Sequence, residues 1–242
     1  GYRINRAADD AAGLVISYDL RAQVSGLKVA TRNAQDGISV VQTAEGALNE
    51  LNNMLQRMRD LSVQAANGSN STAARSATQA EYSALAAEIQ RVVSSTRFGS
   101  VYLLDGSTYS AGVGFQIGAN VGDTVTVSIV NLNSAVAILS AVQATVLTFT
   151  GTQDAISAVT SAIAFVATLR GTLGATQNRF ESTINSLQVA TENLSASESR
   201  IRDTDMAQEM TEFTRSQILL QAGTAMLGQA NQIPQSVLKL LG

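Results

Sequence analysis

The 242-residue chain contains no cysteine, no histidine and no tryptophan, and its one proline is Pro234. Without Cys it can form no disulfide, no zinc–thiolate site and no iron–sulfur cluster. Without His it can build no Ser-His-Asp triad and no HExxH metalloprotease helix. Charge is also scarce: Asp, Glu, Lys and Arg make up 14% of the residues, against about 25% in ordinary globular chains. The net charge of −3 and pI near 5.0 argue against nucleic acid as a partner, because duplex binding rests on clustered Lys and Arg. No unbroken run of about 18 apolar residues is present, so no membrane insertion is expected. No cofactor and no metal site is expected either. No signal peptide opens the chain, and residue 1 is Gly rather than Met, as in a fragment.

What is present is helical periodicity. Apolar residues are 45% of the chain, enough for a sizeable core. From about Asp10 to Asn67, the positions Leu20, Val24, Leu27, Ala34, Ile38, Val41, Leu48, Leu51, Leu55, Met58 and Ala65 recur in steps of 3, 4 or 7. That stripe predicts one helix of coiled-coil period, roughly 85 Å long. Asp36-Gly37 is its weak point and a possible break, since an interior Gly costs about 1 kcal/mol. The polar run 67–72 reads as a loop, with Ser71 or Thr72 capping a second helix to about Ser95. That helix carries Tyr82, Leu85, Ile89 and Val92 at helical spacing. The short loop makes it antiparallel to the first.

The middle has strand composition. Val101 to Leu104 precedes the turn signal Asp105-Gly106, Phe115 to Asn120 is a short extended run, and Val125, Val127 and Ile129 alternate onto one face. Small hairpins are expected rather than a large sheet. Ala135 to Leu147 suits a helix, whereas Val146 to Thr150 has strand composition. A second long stripe follows from Thr152 to Arg202, through Val159, Ile163, Val166, Leu173, Phe180, Ile184, Leu187, Leu194 and Ile201. Two matched stripes should pack as an antiparallel pair. After Asp203-Thr204-Asp205, where either Asp or Thr can cap, a last helix carries Met206, Met210, Phe213, Leu220 and Leu227 on one face. Ile218, Leu219 and Met226 lie on others, Pro234 should break or kink it, and Leu238 belongs to its apolar end. With no partner in this chain, that helix would expose the kind of patch that marks an interaction site. The expected fold is mainly α: an elongated antiparallel long-helix bundle, a small β-hairpin region in the middle and a protruding C-terminal helix.

Long ordered motifs at both ends carry a family likeness. The opening residues 1–13 (GYRINRAADDAAG), 31–39 (TRNAQDGIS) and 42–50 (QTAEGALNE) resemble the N-terminal region of bacterial flagellin. Residues 173–180 (LGATQNRF), 199–205 (SRIRDTD) and 221–235 resemble its C-terminal region. The likeness covers roughly 1–130 and 152–242. It implies a structural subunit that self-assembles into the helical filament outside the cell and leaves unfolded through the flagellar type III export channel. It also implies a domain plan. Residues 1–9 are a linker remaining from an N-terminal inner-tube segment, which in the family precedes this point. Residues 10–130 and 152–202 form the rod, 131–151 a short variable crossover, and 203–242 a C-terminal inner-tube helix.

The resemblance also implies partners and contact residues. Other flagellin subunits, filament cap proteins and hook-associated proteins are expected partners. The segment 56–63 (QRMRDLSV) is similar to the part of flagellin read by the vertebrate Toll-like receptor for flagellin. Residue-by-residue matching gives Arg57, Leu61 and Glu81 as its principal contacts. The C-terminal helix is similar to the segment held by the flagellin export chaperone, which makes Met206, Met210, Phe213, Leu220, Leu227 and Leu238 assembly or chaperone-binding positions. Neutral polar side chains on the long helices would suit a repeated non-closing contact. A hook–filament junction protein shares both terminal motifs and is one alternative; a flagellin-like surface binding protein is another. Catalysis is not expected: Asp9-Asp10, Asp203/Asp205 and Glu209/Glu212 can be drawn as carboxylate pairs, but Asp203/Asp205 fall at a helix start and Asp9-Asp10 precede the first helix, where acidic residues belong.

Overall fold

The computed structural model describes residues 1–133, 136–137 and 148–241, with side chains described for all of these except 149 and 232–241. Its elements, in chain order, are α1 (Ala11–Ala65), α2 (Thr72–Ser95), β1 (Arg97–Phe98), β2 (Val101–Tyr102), β3 (Val113–Gln116), β4 (Thr124–Val127), α3 (Phe149–Arg202) and α4 (Met206–Leu241). The chain divides into two compact units: Gln23–Glu192, and Gly1–Ala22 with Asn193–Gly242. The division falls inside both long helices.

The larger unit holds the main core. From Ala34 to Ala65 the α1 stripe is buried at Val41, Leu48, Leu51, Leu55 and Met58, all 2% exposed or less. The stripe of α3 meets it through Ala155, Val159, Val166, Leu173 and Phe180. Their direction is antiparallel: Gly37 faces Phe180, and further along α1 Glu45 meets Arg170 at 3.4 Å. Helix α1 runs through Asp36-Gly37 without a break. The reason is tertiary, because the Phe180 ring occupies the space that a side chain at 37 would need. Helix α2 starts where Ser71 Oγ accepts from the Ala74 N–H at 3.2 Å, and it buries Thr78, Tyr82, Ala86, Ile89 and Val93. Leu85 and Val92, expected on its inner face, are only half-buried.

The β region consists of two separate antiparallel pairs. β1 pairs with β2, and β3 with β4 in the register Val113↔Val127 and Phe115↔Val125. β1 was not expected as a strand, and Asp105-Gly106 follows the first hairpin instead of closing it; that hairpin turns at Gly99, which has φ 60°. Val125, Val127 and Ile129 are buried on one face, as their alternation predicts. Asn33 Nδ2 donates to the Gln116 carbonyl at 3.0 Å, fastening β3 to α1. Of the crossover, Phe149–Gly151 is the first turn of α3, so the strand reading of 148–150 is not met. Residues 134–135 and 138–147 lie outside the described residues.

By length and composition alone, 150–202 could cross a membrane, with a mean hydropathy of 1.5 over one window. The expectation rested on an unbroken apolar run; in this stretch Ser and Thr are interspersed among the apolar residues. Its residues Ala155, Val159, Ala162, Val166 and Leu169 are buried at steps of three and four. That is the pattern of a core-facing helix.

In the smaller unit, residues 1–9 are tied to the end of α3. Tyr2 bridges to Asp203, and Arg3 N donates to the Arg202 carbonyl at 2.7 Å. The Arg3 guanidinium donates to the carbonyls of Arg200 (2.9 Å) and Ile201 (3.0 Å). A cation thus satisfies carbonyls that the last helical turn leaves free. The Arg202 guanidinium stacks over the Tyr2 ring at 4.5 Å and lies 5.9 Å from the Tyr18 ring centre. Helix α4 continues through Pro234 to Leu241, so that residue does not end it.

Candidate functional site

Arg57 projects from α1 and Glu81 from α2. Arg57 Nε donates to Glu81 Oε1 at 2.8 Å, and a guanidinium NH lies 2.6 Å from the same oxygen. Both side chains remain about half exposed. Sequence matching placed Leu61 with them, but Leu61 is 1% exposed and sits inside the core. The correction has a simple cause. Leu61 continues the buried stripe of Leu51, Leu55, Met58 and Ala65, and its neighbour Ser62 is buried too. The exposed face of this stretch carries Gln56, Arg57, Arg59, Asp60, Val63 and Gln64 instead.

Helix α4 is the second candidate. Every side chain described from Met206 to Asn231 is exposed. Met206 is 54% exposed, Met210 53%, Phe213 61%, Leu220 70% and Leu227 66%. Ile218, Leu219 and Met226 are equally open, so the apolar surface extends well beyond one stripe. Leu238 lies outside the described side chains. Sequence reasoning passed over a further group in the smaller unit: Val15, Ile16 and Tyr18 are each at least half exposed. Their signal was present, as large apolar residues early in α1 ahead of the first position counted in its stripe.

The carboxylates of Asp9, Asp10, Asp203 and Asp205 have structural partners. Asp9 accepts from the N–H groups of Arg6 (2.9 Å) and Asn5 (3.0 Å), and these bonds hold its carboxyl below the usual range. Asp10 accepts from the Gly13 N–H at 3.0 Å and caps α1. Asp205 accepts from the N–H of Ala207 at 2.9 Å and caps α4, while Asp203 accepts from Ser199 Oγ at 2.8 Å. Many hydroxyls of the neutral polar faces turn back on their own helix. Thr160, Thr168, Thr172, Thr176 and Thr183 each donate to the carbonyl four residues earlier, at 2.7–3.1 Å. Such faces have few stranded donors to desolvate when another surface covers them.

Both helical ends match one family. Residues 1–109 match the bacterial flagellin N-terminal helical region, and residues 156–241 match the bacterial flagellin C-terminal helical region. The flagellin of Halalkalibacterium halodurans is 50% identical over 242 residues, covering all of this chain and 88% of that protein. The chain belongs to the bacterial flagellin family. The flagellin of Bacillus subtilis is 45% identical over 272 residues, covering all of this chain and 89% of its own length. Among solved structures, Bacillus cereus flagellin matches with a TM-score of 0.56 at 29% identity, over 64% of this chain and 88% of that one. A putative flagellar hook-associated protein from Vibrio parahaemolyticus matches with a TM-score of 0.70 over 81% of this chain and all of that one. At 14% identity that likeness speaks for the fold alone. As a flagellin, the chain is a structural subunit of the flagellar filament, and its functional surfaces are those that meet other chains.

Proposed function

We propose that this flagellin is exported through the flagellar type III pathway and joins the extracellular filament by burying the apolar faces of α4 against other subunits. The exposure of every described side chain of α4 carries the reading. A helix bearing Met206, Met210, Phe213, Leu220 and Leu227 in water is an association surface awaiting a partner. Before assembly the same faces suit the groove of an export chaperone, which would shield them until secretion. Filament cap and hook-associated proteins are further partners of this reading. Residues 10–130 and 152–202 form the rod in this plan, with 203–242 in the inner tube.

The paired Arg57 and Glu81 form the receptor-facing patch for the Toll-like receptor, and Leu61 acts from beneath it by fixing α1 against α2. Support for this is the likeness of the 56–63 segment and the exposure of the ion pair. The test of the central claim is seeded growth. Labelled chain is added to short filaments of a related flagellin, and electron microscopy follows the label. Incorporation at filament ends is expected. A chain that stays soluble beside growing seeds at every salt concentration would overturn the reading.

A further inference from the structure

The sequence holds one Asn-Gly pair, Asn67-Gly68, and the structure places it in the turn joining α1 to α2. The Asn67 carbonyl accepts from the Asn70 N–H at 3.2 Å, closing a four-residue turn around Gly68 and Ser69. Asn67 Oδ1 accepts from the Ser69 N–H at 3.2 Å. Asn67 and Gly68 are both exposed, and nothing lies within 4 Å of where a Cβ on Gly68 would stand. Among the described residues, the Gly68 N–H donates to no acceptor.

We propose that Asn67 is a covalent modification site, which deamidates spontaneously to aspartate and isoaspartate through a succinimide. The Gly68 nitrogen, after losing its proton to hydroxide, attacks Cγ of Asn67. The new N–Cγ bond forms, the Cγ–Nδ2 bond breaks, and Nδ2 leaves as ammonia after gaining a proton. Water then adds to one of the two imide carbonyls and opens the ring. One opening gives aspartate; the other gives isoaspartate, with the backbone running through the side-chain carboxyl. Atoms balance with water as the one co-reactant, and nothing is oxidised or reduced.

Local structure favours this asparagine over the others. Gly68 has no side chain to obstruct ring closure. Its N–H need break no hydrogen bond before it loses a proton. The Ser69 N–H already points at Oδ1, the oxygen that carries negative charge in the tetrahedral intermediate. Asn52 and Asn53 lie inside α1, where the backbone N–H groups are held in the helix ladder. Asn70 precedes Ser71, whose side chain caps α2. The product also has a ready counter-charge. Arg75 Nη2 donates to the Asn67 carbonyl at 3.4 Å, and its Nε is buried with no acceptor among the described residues. A carboxylate at 67 would stand beside that guanidinium.

The test is ageing of the whole chain in mildly alkaline buffer, with peptide mass mapping and isoaspartyl methyltransferase labelling. The amide-to-acid mass gain and the label should concentrate on the peptide Asp60–Arg75, at Asn67. Gly68→Ala, checked for folding by circular dichroism, should slow the reaction about tenfold or more, since a Cβ hinders the ring closure. Deamidation spread evenly over the asparagines would overturn the proposal, as would a rate unaffected by Gly68→Ala. A native chain far slower at Asn67 than the same chain in urea would show that the turn protects the residue, and would overturn it too.

Discussion

Phe180 stands where Gly37 leaves room: a Cβ built on Gly37 would lie 2.6 Å from the ring's Cζ. Phe180 is fully buried and meets the Phe115 ring edge-on, with centroids 5.7 Å apart. Through these two contacts Phe180 joins α1, α3 and the β3–β4 hairpin. In an open helix Gly→Ala would stabilise by about 1 kcal/mol. Here the added methyl must displace an immobilised ring, which costs about 1–3 kcal/mol. Gly37→Ala should therefore lower stability by about 1 kcal/mol, read by thermal or urea unfolding. Gly37→Ala combined with Phe180→Leu should be less damaging than the two single losses added together. Additive losses would show that the two positions do not share this space.

Tyr82 offers the opposite test. Its side chain is fully buried, and among the described residues its hydroxyl has no hydrogen-bond partner. Burial pushes its pKa up from 10.0 to about 12. Below pH 10 both folded and unfolded chains hold the proton, and this residue adds no pH dependence. Between pH 10 and about 12 the unfolded chain releases the proton while the folded chain keeps it, so stability falls. Tyr82→Phe should abolish that alkaline loss and stabilise the chain at neutral pH by about 1 kcal/mol, since no bond is lost and no polar atom is stranded. A destabilised Tyr82→Phe would mean that the hydroxyl makes a favourable interaction after all.

Arg57 and Leu61 should separate cleanly. The Arg57–Glu81 pair is half exposed, and such pairs contribute about 0–1 kcal/mol. Arg57→Ala should leave unfolding within about 1 kcal/mol of the parent while reducing receptor signalling by soluble monomer. Leu61→Ala opens a core cavity and should cost about 2–5 kcal/mol. Any signalling loss in that variant would follow its unfolding curve. Signalling unchanged in Arg57→Ala at equal monomer concentration would remove the exposed pair from the receptor patch.

These residues also mark what the sequence makes legible. The stripes of α1 and α3 are visible because burial along one helix face imposes a period that any reader can count. The Ser71 cap and the alternation of Val125, Val127 and Ile129 are local in the same sense. Gly37 looked like a weakness because propensity is a property of one helix; its reason lies on another helix, more than a hundred residues away. β1 escaped notice since two residues carry no period. Leu61 was placed among surface contacts by likeness to a motif and left out of the stripe, although it lies three residues after Met58 and four before Ala65, at the spacing of the buried face. The motif named the segment, and the periodicity told which of its residues face out.

Helix α4 gives the sharpest separation of stability from function. Leu220 is 70% exposed and Leu227 66%, so neither adds buried area to the monomer. Replacing both by Asp should shift unfolding of the whole chain by no more than about 0.5 kcal/mol per site, the usual range for open surface positions. In an assembled filament those side chains would be buried, and two carboxylates there would have to be desolvated without partners. Leu220→Asp with Leu227→Asp should therefore stop seeded incorporation almost completely while circular dichroism and unfolding stay near the parent. Gln208→Asp, a charge added to the same helix at a position that is already polar, should assemble far better. If the paired leucine variant grows filaments as well as the parent, the apolar faces of α4 are not what holds subunits together, and the polar faces of α1 and α3 become the surfaces to mutate next.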